Sequence, residues 1–171
     1  MPVKRLRSAI DRFNLWLGRL SVWLLLASVF VSAGNAILRK SFAIGSNAML
    51  ELQWYLVGTM VMLAAAWVFQ EDGHVRIEIL AGRFSERTRR RIELAGHLLM
   101  FLPFAALMLW LSWPFFARSY AQDEISLNAG GLLVWPMRGI IVVGFAALTA
   151  QALSAILRSL DGAGDSEPRM S

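Results

Sequence analysis

The sequence predicts an all-α integral membrane protein of four transmembrane helices, with N-terminal and mid-chain interfacial amphipathic segments and both termini in the cytoplasm (N-in/C-in). Three observations carry that fold class. Of 171 residues, 57% are hydrophobic and only 17% are charged, against roughly a quarter charged in ordinary globular domains. Four apolar runs, at about 15–38, 48–69, 92–116 and 132–157, each approach or exceed the ~20 residues that a helix needs to cross hydrocarbon. The basic residues fall on alternate sides of those runs. Backbone polar groups cannot stay unpaired in lipid, so each run must be helical, and no sustained period-two alternation suggests a barrel.

Orientation follows from Lys and Arg. The N-terminal segment holds Lys4, Arg5, Arg7, Arg12 and Arg19. The connection between spans two and three holds Arg76, Arg83, Arg87, Arg89, Arg90 and Arg91, and Arg158 and Arg169 follow span four. Four crossings put these three regions on one side, leaving Arg39, Lys40, Arg118 and Arg138 opposite. The positive-inside rule makes the richer side cytoplasmic. The balance of +5 at pH 7 therefore reads as topology and anionic-headgroup contact. No aromatic-basic platform points to nucleic acid.

Along the chain, Val3, Leu6, Ile10, Phe13 and Leu17 recur at three-and-four spacing opposite Lys4, Arg5, Arg7, Asp11 and Arg12. That pattern predicts an amphipathic helix on the cytoplasmic leaflet that then turns into span one. Val31-Ser32-Ala33 resembles a leader-cleavage site, but the apolar run before it exceeds the ~7–15 residues of a signal core, so span one is expected to stay. A second interfacial segment is expected at 75–84, where Ile77, Leu80 and Phe84 share a face. Ser85 suits an N-cap, although position 88 is Thr where a capping box has Glu or Gln. Pro103 and Pro114 should bend span three, while Pro136 is tolerated near the start of span four. Residues 1–160 form one membrane domain on this reading. Residues 161–171, rich in Gly, Ser and Pro and charged, read as a disordered cytoplasmic tail.

The span centres are poor in chemistry. Glu51, in the first turn of span two, either favours the helix N-terminus while facing headgroups or is a buried functional acid. A self-sufficient proton-driven exporter, the rival reading, needs an acid near the midplane, and no span has one. His74 and His97 are the only histidines. A basic-loop histidine is a poor haem ligand. No His-Glu-x-x-His pattern marks a metal site, and the chain has no cysteine. No cofactor or catalytic residue is expected. Gln122, Asp123, Glu124 and Ser126 crowd the outer loop between spans three and four, as a solvated turn or a docking surface for a periplasmic partner. Trp54, Trp67, Trp113 and Trp135 lie near span ends as interface anchors. Ala64-Ala65-Ala66 permits close helix approach, and the apolar surface left over should pack on another membrane protein.

Several stretches resemble one family. Glu51-Leu52-Gln53-Trp54, then Gly58 and the alanine run, then His74-Val75-Arg76-Ile77-Glu78 are similar to the small membrane subunit of tripartite ATP-independent periplasmic (TRAP) transporters. The likeness continues through Gly96 to Phe104, Ser112-Trp113, Ser119, Glu124, Ser126, Gly130-Gly131, Arg138, Gly144-Phe145 and Gln151, over roughly 15–160. The chain departs at Leu133 and Val142, where relatives often have proline, and at Glu78 and Arg138, where they favour Asp and Lys. The resemblance implies an accessory scaffold in a bacterial inner membrane. Its partners would be a large membrane subunit, which carries an organic acid or similar solute on a sodium gradient, and a periplasmic binding protein. Glu51, Trp54, His74, Arg76, Asp123, Glu124 and Arg138 are the positions expected to meet partners or hold structure, with Glu51 and Arg138 pairing with each other or with the large subunit.

Overall fold

A computed structural model describes residues 2–42, 45–71 and 85–164. The segment expected at 75–84 lies outside them, as do His74, Arg76 and residues 165–171. The described residues form α1 (Pro2–Phe42), α2 (Asn47–Gln70), α3 (Glu86–Gly96), a π-helical turn (His97–Phe101), α4 (Leu102–Ala121) and α5 (Trp135–Gly164). Four helices are long and apolar enough to cross a membrane, the third built from the end of α3, the π turn and α4.

α1 departs from expectation. It is one unbroken helix of 41 residues, about 60 Å at 1.5 Å per residue, twice a ~30 Å hydrocarbon core. The turn expected between an interfacial helix and span one is absent. No proline interrupts the chain there, and Asp11 and Asn14 are instead held against α5. The expected apolar stripe also divides, because Leu6 and Phe13 are exposed while Leu17 is in the core.

Ser85 caps α3. Its Oγ accepts from the Thr88 backbone N–H at 3.3 Å and lies 3.0 Å from the Thr88 hydroxyl. The π turn then answers Pro103. Pro103 has no N–H for the Leu99 carbonyl four residues back, and just upstream the turn is widened, with the Leu102 N–H donating to the His97 carbonyl five residues back. Phe69 from α2 stacks on Phe101 at 4.1 Å and meets the His97 ring edge-on at 5.2 Å. α4 continues through Pro114 to Ala121. At its far end, α5 runs on to Gly164, so the helix takes in the first residues of the segment expected to be tail.

The helices do not close into a four-helix bundle. α1, α2 and α5 pack on one another, and α4 adds to α5 alone among the substantial contacts. The core where the three meet is Leu17, Leu63, Ala66 and Ala147, lined by Leu20, Leu24 and Leu148. Small residues set the approach distances. Gly18 lies under Trp67, where a Cβ would come within 2.5 Å of the indole, and Gly144 lies under Met62. Two seams repeat every seventh residue. Asn14, Ser21, Ser28 and Asn35 are buried along α1, as are Ala105, Ser112 and Ser119 along α4. A strict seven-residue repeat keeps one face on its neighbour along a left-handed crossing. The Ser21 and Ser28 hydroxyls satisfy themselves on the Gly18 and Leu25 carbonyls.

Candidate functional site: two polar clusters at opposite ends

One end of the molecule carries the connection between α4 and α5. The chain leaves α4 through Asp123, which adopts φ 43°, and turns again at Gly130, φ 72°. Asp tolerates that left-handed conformation better than most residues, and glycine does so freely. Across the second turn a short antiparallel bridge pairs Ile125 with Leu133. Ser126 N–H donates to the Leu132 carbonyl at 2.9 Å, and Val134 N–H to the Glu124 carbonyl at 2.8 Å.

Glu51 fastens this loop to α2. Its side chain is 4% exposed. One carboxylate oxygen accepts from the Ser126 hydroxyl and from Asn128 Nδ2, the latter at 2.5 Å. The other accepts the Leu132 backbone N–H at 2.7 Å. One turn earlier, Asn47 Nδ2 donates to the Ala129 carbonyl at 3.2 Å. Burial under three donors sets aside the headgroup-facing placement of Glu51 and makes its carboxylate the anchor of a loop 75 residues away.

Arg138 does not pair with Glu51. Its guanidinium donates to Glu124 Oε1 at 2.6 Å and lies 3.9 Å above the Phe115 ring. Of the two pairings expected for Glu51 and Arg138, with each other or with the large subunit, the mutual one is not made: Arg138 pairs with Glu124, 14 residues away, which the loop's two turns bring together. Glu124 is committed to this pair, while Asp123 stays exposed. Trp54 is 66% exposed, and Trp113 is exposed too. Trp135 packs edge-on to Tyr120 at 5.3 Å. Trp67 is no surface anchor: it packs over Gly18, its indole N–H buried and without a partner among the described residues.

The second cluster is at the end where α1 begins and α5 finishes. Asp11 accepts from Gln151 Nε2 at 3.1 Å, from the Ser154 hydroxyl at 2.9 Å and from the Arg158 guanidinium at 3.1 Å. Gln151 Oε1 in turn accepts from Asn14 Nδ2 at 2.6 Å. Asn14, Gln151 and Ser154 are buried. A small cavity of about 120 Å³ beside them is lined by Phe69, Gln70, Glu93, His97, Gln151 and Arg158, among others. Sequence reasoning passed over this network. Asp11 precedes the hydropathy boundary, and Asn14 and Gln151 are neutral. The signal that marks it is the seven-residue recurrence of Asn14, Ser21, Ser28 and Asn35. Among the described residues, no group of three or more acidic or imidazole side chains stands close enough to hold a metal ion.

Each cluster ties an end of one helix to a distant segment by saturating a carboxylate. Compared with known proteins, residues 34–162 match the family model of the DctQ component of tripartite ATP-independent periplasmic transporters. No curated protein matches the chain.

Proposed function

We propose, from the premise that the chain belongs to the DctQ family of tripartite ATP-independent periplasmic transporter components, that it is the fixed scaffold of such a transporter. It supports the large membrane subunit and helps receive the binding protein during sodium-driven uptake of an organic acid or similar solute. Membership makes it a transporter component and a multi-pass membrane protein, in a family of transporters and not of enzymes. The orientation we adopt puts both termini and the Asp11 cluster in the cytoplasm, with the Glu51 loop outside the inner membrane.

One observation carries the scaffold reading. α1, α2 and α5 pack on one another with α4 laid against α5, their outward surfaces are apolar, and no ionisable side chain stands between Leu20 and Leu38 of α1 or between Gly139 and Leu157 of α5. α4 is the barest element. Leu107, Trp110 and Leu111 are exposed, and Trp110, Trp113, Pro114 and Leu109 frame an apolar notch of about 520 Å³. Apolar contact with lipid or with another helix satisfies such a face equally, and small-residue and shape matching then select a protein partner. A helix cluster pinned at both ends by saturated carboxylates resists shear, which suits a part that stays still while a neighbouring carrier moves.

Purification of the tagged chain in mild detergent tests this reading. A larger multi-span protein should co-purify. A chain that emerges as a homodimer with transport activity of its own contradicts it.

A further inference from the structure

We infer that the 122–134 loop is a preformed docking ridge whose contact surface is apolar. Ile125, Leu127 and Leu133 fit an apolar depression with a basic rim on the soluble binding protein. The inference rests on the subunit reading above and on the outward placement of this loop.

The observation is an inverted alternation. Along the outgoing strand, Glu124 and Ser126 turn toward the protein, to Arg138 and Glu51, while Ile125 and Leu127 turn away. Ile125 is 60% exposed, Leu127 is fully exposed, and Leu133, bridged to Ile125, is exposed beside them. A strand that served only as a solvated turn would place its polar residues outward. Here the polar residues are spent on fixing the loop, and branched aliphatic side chains form its outer edge. Contiguous exposed apolar residues on a rigid element mark contact surfaces.

The ridge is ordered before any partner arrives. The bridge, the Glu51 carboxylate and the Glu124–Arg138 pair fix both strands, so little conformational freedom is left to lose on binding. The flanking groups choose the occupant. Bilayer anchors are Trp, Tyr, Lys and Arg; here Arg118, Tyr120 and Trp135 stand at the two helix ends, while the residues next to the ridge itself are Gln122, Asp123 and Asn128. The exposed Asp123 carboxylate is repelled by anionic headgroups and complements a basic protein rim. The ridge also stands beyond the helix ends, away from the apolar flanks that meet a membrane partner.

The test uses the assembled transporter in vesicles, with uptake measured against binding-protein concentration for wild type, Leu127→Ser and Leu127→Trp. Both substitutions should raise the half-saturating concentration of binding protein by about ten-fold, the size of a central contact residue, with the large subunit still co-purifying. Unchanged half-saturation in both variants overturns the inference. Loss in Leu127→Ser with full activity in Leu127→Trp makes the occupant the bilayer and also overturns it. Loss of the large subunit from Leu127→Ser makes that subunit the occupant, and the inference falls in that case too. If the wild-type chain never co-purifies with a large subunit, the scaffold reading itself falls.

Discussion

Replacing Gln151 by leucine separates the inner network into its parts. The swap nearly conserves volume, so its cost is polar. Gln151 uses both ends of its amide, accepting from Asn14 at 2.6 Å and donating to Asp11 at 3.1 Å. Without it, the Asn14 Nδ2 stays buried with no acceptor, beside an Oδ1 that already lacks a partner among the described residues. An unsatisfied buried donor costs about 1–3 kcal/mol, and interhelical hydrogen bonds in membranes fall at about 0.6–2 kcal/mol. Asp11 keeps Ser154 and Arg158, so the expected loss is about 2 kcal/mol. That corresponds to a fall of roughly 4–8 °C in the melting midpoint of a chain this size, read by intrinsic tryptophan fluorescence in mild detergent. Asn14→Leu with Gln151→Leu removes both partners and should recover part of the loss, because paired apolar replacement is nearly neutral. A Gln151→Leu midpoint within a degree of wild type, or strictly additive losses in the double variant, refutes the reasoning.

Four more outcomes follow. Glu51→Gln puts an amide N–H among three donors, so backbone exchange at 124–134 should speed up by at least ten-fold while helix protection holds; unchanged exchange means that Glu51 does not anchor the loop. A double-mutant cycle of Glu124→Gln with Arg138→Met should give coupling of up to about 1 kcal/mol, as for a part-exposed pair, whereas Glu51→Gln with Arg138→Met should give none. Gly18→Ala drives a Cβ into the Trp67 ring and should cost about 1–3 kcal/mol in the same melting assay. Gly34→Ala meets nothing within 4 Å and should be neutral or stabilising by up to about 1 kcal/mol; equal effects at both sites contradict the close α1–α2 approach. Since the chain has no cysteine, Leu127→Cys should react with an impermeant maleimide in intact cells and Arg169→Cys should not, and the reverse pattern inverts the orientation.

The four spans were legible because hydropathy alone defines them, and the second, read as 48–69, is Asn47–Gln70 in the structure. Hydropathy fails where a helix outlasts its apolar run. Nothing in α1 breaks the backbone before residue 15, so charge ended the apparent span without ending the helix. In span three the prolines were visible, but the π turn upstream of Pro103 was not, nor that Phe69 packs there against His97 and Phe101. Glu51 and Arg138 were each visible as candidates. Their partners were not, because sequence shows charges and the loop's turns decide which acid reaches Arg138. The ridge was equally hidden. Ile125 and Leu127 read as ordinary loop residues until Ser126 and Glu124 are seen facing inward.

The most direct measurement of the scaffold role is solute uptake into vesicles holding the large subunit, given the binding protein, with and without this chain. Uptake driven by a sodium gradient should require all three components, and the chain alone should move nothing. Uptake at the full rate without it, or by it alone, contradicts the account.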